Sequence, residues 1–279
     1  MVRLSALDLG GITVQVLRDA QGSFTTFAEA FPNVSDEIEA VGRDRYSELF
    51  DGDRWLLPFC AFLIRSRGQT VLVDAGVGPA PGEFLPERQG WLPAELRRAG
   101  VAPEDVDAVI LTHLHVDHVG WAVVDGSPFF TQARYVVSGV DWRFVANRDE
   151  SRETFATKLA PLERAGVLTL VELERAEYAT GVALRPTPGH TPGHISVEIC
   201  GETRQALVIG DVAVHPIQLH YPRLPYAYEE NAAVAAATRE SVFREVADGD
   251  VVVAAGHLPG GLGRVSGRSR GFAWHEIAC

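Results

Sequence analysis

Apolar residues along this chain gather in short, dense runs. "FCAFLIRS" (59–66), "TVLVDAG" (70–76), "VDAVILTH" (106–113) and "ARYVVS" (133–138) come first. "VALRPTPG" (182–189), "ISVEIC" (195–200), "QALVIGD" (205–211) and "DVVVAAGH" (250–257) follow. Several are rich in β-branched residues and nearly continuous, which predicts strands buried on both faces. Residues 4–18 read as two short strands around Gly10-Gly11, a hairpin signal. Helical patterns fall between strand groups. "LPAELRRAG" (92–100) ends on Gly, and "NAAVAAATRESVFREVADG" (231–249) opens on Asn and closes on Gly, which are cap signals. Strands outnumber helices. The pattern predicts an α/β (α+β) fold of two packed sheets with helices outside. No linker divides it, so 1–279 is expected to be a single domain.

Residues 20–57 break the pattern, mixing Phe24, Phe27 and Phe31 with acidic, helix-like stretches. They are expected to form an insertion or flap over a site, or an amphipathic segment packed on the sheet.

Composition narrows the function classes. The formal net charge is −12, and Lys158 is the sole lysine. Counterion release on nucleic acid requires clustered Lys and Arg, so a nucleic-acid partner is not expected. Cys60, Cys200 and Cys279 form no CxxC pair, which argues against a thiolate zinc site or a disulfide framework. Cys60 and Cys200 are expected to be buried thiols, and Cys279 a loose terminal one. No apolar run approaches the ~20 residues of a membrane span, and no signal-peptide core is visible. The expectation is a cytoplasmic protein with a small-molecule substrate, without a membrane partner, and with a homodimer open.

The chemistry concentrates at "LTHLHVDHVG" (111–120), which holds three of the nine histidines. Four strand runs end in a ligand-type residue: His113, His190, Asp211 and His257. Strand ends and the loops beyond them are where α/β folds collect functional groups. His113 and His115 stand two apart and project to one side of an extended chain. Asp117 and His118 are adjacent and diverge, with a helix starting near Asp117. Imidazole and carboxylate suit zinc or another first-row divalent ion in sites of about four ligands. His113, His115 and His190 would build one site. Asp117, His118 and His257 would build another, with Asp211 as the bridge. His194 is expected to support the ligands or pack. His215, His220 and His275 read as surface residues.

With these motifs the sequence resembles the metallo-β-lactamase-fold hydrolase superfamily. "THLHVDH" (112–118), "TPGHTPGH" (187–194), "GD" (210–211) and "GH" (256–257) carry the resemblance, from about residue 59 to the end. The resemblance implies an αββα sandwich with a binuclear site along one edge, and the same seven ligands. It also implies a supporting role for Asp74 in "VLVDAG". The overall look is closest to the lactonase and organophosphate-hydrolase branch. Acyl-homoserine lactonases of that branch carry a Tyr, a few residues after the bridging Asp, that helps polarise the substrate carbonyl. Here Val214 and His215 occupy that place, with Tyr221 further on.

The expected cofactor is two divalent ions per chain: zinc, with iron, manganese or cobalt as alternatives. The expected function is a binuclear hydrolase whose shared hydroxide cleaves an ester or lactone. Phosphotriester hydrolysis is the alternative. A β-lactamase, or a redox or non-catalytic metal protein, stands further off. Asp117 is expected to hold its metal and to relay a proton to the leaving group. Trp121 would line the pocket, and His215 or Tyr221 would donate to the substrate.

Overall fold

The eight apolar runs all become strands, shared between two seven-stranded sheets. The computed structural model describes residues 6–23, 25–32, 34–79, 89–172 and 174–277, so Phe24 and Cys279 lie outside the described residues. In the first sheet β1 (Leu7–Asp8), β2 (Ile12–Gly22), β3 (Leu57–Ser66), β4 (Gln69–Val73), β5 (Ala108–Ile110), β6 (Arg134–Ser138) and β7 (Leu168–Val171) lie side by side in chain order. β1 to β4 pair antiparallel, and β4 to β7 pair parallel. The second sheet repeats the chain-order arrangement. It holds β8 (Ala176–Ala179), β9 (Val182–Pro186), β10 (Ile195–Cys200), β11 (Gln205–Val208), β12 (Val252–Ala254), β13 (Leu262–Gly267) and β14 (Phe272–Glu276). Only β11 and β12 pair parallel there.

The near-continuous apolar runs follow from burial on both faces. In β3, Phe62 and Ile64 point between the sheets, where they meet Val197 and Val208. Leu63, between them in sequence, points outward and packs under Leu92 and Leu96 of the helix Leu92–Arg98. On the far side, Leu207 and Val253 meet Val242, Phe243 and Val246 of the helix Ala232–Val246. These are the layers of an αββα sandwich. The Asn231 side chain accepts from the Val234 N–H, the expected cap. Closure comes earlier than expected, because Asp248 already takes a positive φ one residue before Gly249.

Two expectations about length and burial change. The "VDAVILTH" run forms a strand only over Ala108–Ile110, because Thr112 turns its N–H to the Asp74 carboxylate and its carbonyl to Ile195. Cys200 is exposed rather than buried, since it ends β10 at the turn; Cys60 is buried, which pushes its thiol up to about 12.

Residues 20–57 continue β2, then form the helices Phe27–Ala30 and Asp36–Arg45 and a two-stranded ribbon of Phe50–Asp51 with Arg54–Trp55. The first helix starts on a capping box, with Thr26 and Glu29 satisfying each other's N–H groups. Phe27, Phe31, Trp55 and Phe59 make a separate core with Ile217 and Tyr226. This stretch therefore buttresses the wall formed by 214–226.

His215 sits at the centre of that core. It is fully buried, not on the surface as its sequence context implied. The rings of Phe27, Phe31, Tyr46, Phe50 and Trp55 surround it at 5.2–6.0 Å between centroids. Its Nδ1 accepts from the Ile217 N–H, its Nε2 has no partner, and burial pushes its pKa down to about 3. Among the described residues no helix is long and apolar enough to cross a membrane.

This neutral buried ring makes stability depend on acid. An unfolded histidine takes up its proton near pH 6.5, whereas His215 in the fold resists protonation down to about pH 3. Its contribution is present above pH 6.5 and is lost below it, at about 1.4 kcal/mol per pH unit. Denaturant unfolding should show the wild type losing about 2 kcal/mol more than His215→Phe between pH 6.5 and 5. Parallel losses in the two proteins would contradict this.

Candidate functional site

Loops at one edge of the sandwich bring the seven expected ligands together. His113 and His115 leave β5, and the short helix Val116–Val119 follows, with His115 at its N-cap and Asp117 in its first turn. The turn after β9 brings His190. The turn after β11 brings Asp211, and the turn after β12 brings His257. Gly210 makes the third of these possible. Its φ is +50°, and a Cβ there would lie 2.5 Å from His194 Nε2.

The side chains form two nests. In the first, His113 Nε2, His115 Nδ1 and His190 Nε2 lie 3.0–3.2 Å from one another. Asp211 Oδ2 closes it at 3.2 Å from His190 and 3.8 Å from His113. In the second, Asp117 Oδ2 and Asp211 Oδ1 each face His118 Nε2 and His257 Nε2 at 3.2–3.4 Å. Zinc with ligands at 2.0–2.1 Å sets tetrahedral neighbours roughly 3.3 Å apart. Both nests therefore fit a divalent ion, and Asp211 gives one oxygen to each. His118 Nε2 and Asp211 Oδ1 are buried with no hydrogen-bond partner, as groups aimed at an ion would be.

Supporting groups set the free nitrogen of most rings. His118 Nδ1 donates to Asp74 Oδ2 at 2.8 Å, and His257 Nδ1 donates to the Pro58 carbonyl at 2.7 Å. His113 Nδ1 meets Thr112 Oγ1, which itself donates to Asp74. Each contact occupies Nδ1 and turns Nε2 into its nest, the nitrogen that would face an ion. Asp74 holds a left-handed backbone (φ 64°), strain stored beside the site. His194 ligates nothing. Its Nε2 accepts from the Asp211 N–H at 3.0 Å, its Nδ1 faces Thr187 Oγ1, and burial pushes it down to about 4.

Electrostatics follow from burial and from the carboxylates. Burial holds His113 and His190 well below the usual imidazole range. Burial pulls His118 the same way, but Asp117, Asp74 and Asp211 outweigh it and hold that ring well above. Burial would raise Asp211; the surrounding histidines, His257 and His118 foremost, keep it well below the carboxylate range instead.

The nests open into a cavity of about 600 Å3. Leu57, Leu114, Val116 and Tyr228 supply apolar wall, while Arg148 and Glu230 pair at the rim. Among the described residues of 20–57, Leu57 alone lies on this wall. The three expected substrate contacts do not line it. Trp121 is buried and donates Nε1 to Asp19, since it faces the outer core. His215 is sealed among the aromatic rings. Tyr221 packs on the flank of that same core. Tyr226 takes the wall instead, its ring stacked on His190 at 6.1 Å and 14°. Sequence reasoning missed Tyr226, because "YPRLPYAYEEN" carries no period that marks one aromatic residue over another.

Asp74 supports both the Thr112 hydroxyl and His118, so its loss should loosen the second nest. Asp74→Ala should lower metal affinity there by about 10- to 100-fold. Elemental analysis after dialysis should then find near one ion per chain, against near two in the wild type.

Known proteins share this fold. The family model of the Metallo-beta-lactamase superfamily matches residues 61–257. The N-acyl homoserine lactonase AiiA of Bacillus thuringiensis subsp. kurstaki is 28% identical over 176 residues, 57% of this chain. The match spans 64% of that relative's length. An N-acyl homoserine lactonase of Bacillus cereus is 26% identical over 218 residues, 71% of this chain and 82% of its own. Among solved structures, the hydrolase AbOPH of the beta lactamase superfamily superposes with a TM-score of 0.87 at 25% identity, covering 98% of this chain and 97% of its own. AidC, a dizinc quorum-quenching lactonase, reaches 0.85 at 20% identity, covering 99% and 97%. With a family match across most of its length and the two-sheet architecture to go with it, the chain belongs to the Metallo-beta-lactamase superfamily.

Proposed function

We propose that this chain is a hydrolase holding two zinc ions and that it cleaves lactones or esters. One observation carries the reading: Asp211 faces a set of three histidines with one oxygen and a His-His-Asp set with the other, at the floor of an open cavity. The lactonase relatives support the substrate class. A pair of divalent ions, when bound, lowers the pKa of water toward 7 and polarises a carbonyl oxygen.

The chain's own residues supply the rest. His113, His115 and His190 would hold one ion, Asp117, His118 and His257 would hold the other, and Asp211 would give an oxygen to each. Water adds to the acyl carbon, the acyl C–O bond breaks, and the departing oxygen takes a proton, so a lactone opens to a hydroxy acid. Asp117 turns Oδ2 to His118 and His257, and its Oδ1 takes a proton from the adding water and passes it to the leaving oxygen. Burial, with Asp211 and Asp117 nearby, holds the Tyr226 phenol well above its usual range, so it stays a donor across the working pH. It donates to the substrate's carbonyl oxygen, the task that the Tyr of acyl-homoserine lactonases performs where Val214 and His215 stand here. Leu57, Leu114 and Val116 receive the apolar part of the substrate.

A phosphotriester offers a P=O oxygen to the same donors and is the second class to assay. Turnover should be highest on lactones or aryl esters in a panel that also holds phosphotriesters and β-lactams; inertness toward lactones and esters would end the reading. Tyr226→Phe should lower kcat about 100-fold with metal content unchanged. Asp211→Ala should abolish turnover and leave fewer than two ions per chain by elemental analysis.

A further inference from the structure

The His190 ring lacks the anchor that His113, His118 and His257 have. His113, His118 and His257 each fix Nδ1 by a hydrogen bond, whereas His190 Nδ1 is buried without a partner. Its aim at the first nest comes from the Tyr226 ring stacked on it and from the loop that carries it. That loop is gripped from two sides. Along one side, the Glu230 N–H donates to the His190 carbonyl and the Asn231 N–H donates to the Gly189 carbonyl. Across from them stands Asp141, in the first turn of the helix Gly139–Ala146 and almost wholly buried. Its Oδ2 accepts from the Thr191 hydroxyl and its Oδ1 from the Gly193 N–H, each at 2.6 Å. Gly193 is packed so closely that a Cβ would lie 2.5 Å from the Asp141 nitrogen. Both carboxylate oxygens are thus spent on the residues that follow His190.

We propose that Asp141 is the positioning residue for His190, holding the His190–His194 turn so that the ring meets the His113–His115 ion without a hydrogen bond of its own. The proposal rests on the binuclear reading above. It assigns the grip to a buried carboxylate from another layer of the sandwich, which touches neither the ion nor the substrate. An aspartate in a helix between the sheet and the cavity rim would otherwise be an expensive choice, because a buried carboxylate needs strong donors to offset its lost hydration.

Zinc release separates this role from general support of the fold. Zinc-loaded wild type, Asp141→Asn and Thr191→Val would be mixed with a coloured chelator, and the release of each ion followed. Asp141→Asn keeps the volume and removes the charge. Thr191→Val removes only the hydroxyl contact, and it stands in if the first variant does not fold. The expected result is that one of two ions leaves about 10- to 100-fold faster, while the other keeps its wild-type rate. In the cobalt-substituted protein, the visible bands of one ion should change. Wild-type release rates for both ions would overturn the proposal and leave the binuclear reading intact. So would equal acceleration of both with a lower Tm for the metal-free variant, because that marks a loosened fold. A wild type that takes up no metal would overturn both.

Discussion

Asp211 divides its two carboxylate oxygens between two sets of buried side chains, and the rest of the site is arranged around that division. Buried ionisable groups are costly unless paired or bound to a metal. Here the carboxylates of Asp117 and Asp211 and five imidazoles crowd one floor, most with almost no exposure. The crowding is tolerable because each group faces an opposite or complementary one. Asp74 stands behind His118, the Pro58 carbonyl behind His257, and the His194 ring behind the Asp211 backbone. Removing Asp211 would leave each set with three donors and no oxygen in common.

The fold meets this constraint with strand ends. Parallel pairing of β4 to β7, and of β11 with β12, sends successive strands out of the sandwich at the same edge. Short turns then complete the placement, and small residues make those turns possible. Gly210 leaves room for His194. Gly120, just beyond the Val116–Val119 helix, lets the 75–78 backbone approach so closely that a Cβ there would sit 2.1 Å from the Val77 carbonyl carbon. The aromatic core around His215 supports the site from the other side, by fixing the segment that brings Tyr226 against His190.

Much of this was legible in the sequence, and the legible part has a physical reason. A strand buried on both faces must be apolar throughout, so runs such as "VDAVIL" announce themselves. Ligands at the ends of such runs stand out against an apolar background. β7 and β8 were harder to see, because edge strands such as "LTLV" and "AEYA" are short and half-exposed. The substrate wall was not legible. His215 and Tyr226 stand eleven residues apart in one irregular segment, and only packing against Phe27, Phe31 and Trp55 decides which is sealed in and which borders the cavity. Asp141 left no signal either, since its partners lie fifty residues away at Thr191 and Gly193.

The spread of the ligands along the chain bears on when the centre can assemble. The contact that orients His257 joins positions separated by 199 residues, Pro58 and His257. Contacts of such long range close late, after most loop-closure entropy has been lost. A chain emerging from the ribosome would present "HLHVDH" long before His190, Asp211 and His257 exist to complete either nest. Early capture by those four side chains would be incomplete and reversible. The choice among competing ions therefore falls to the finished sandwich, where the spacing of the nests, rather than the order of synthesis, does the selecting.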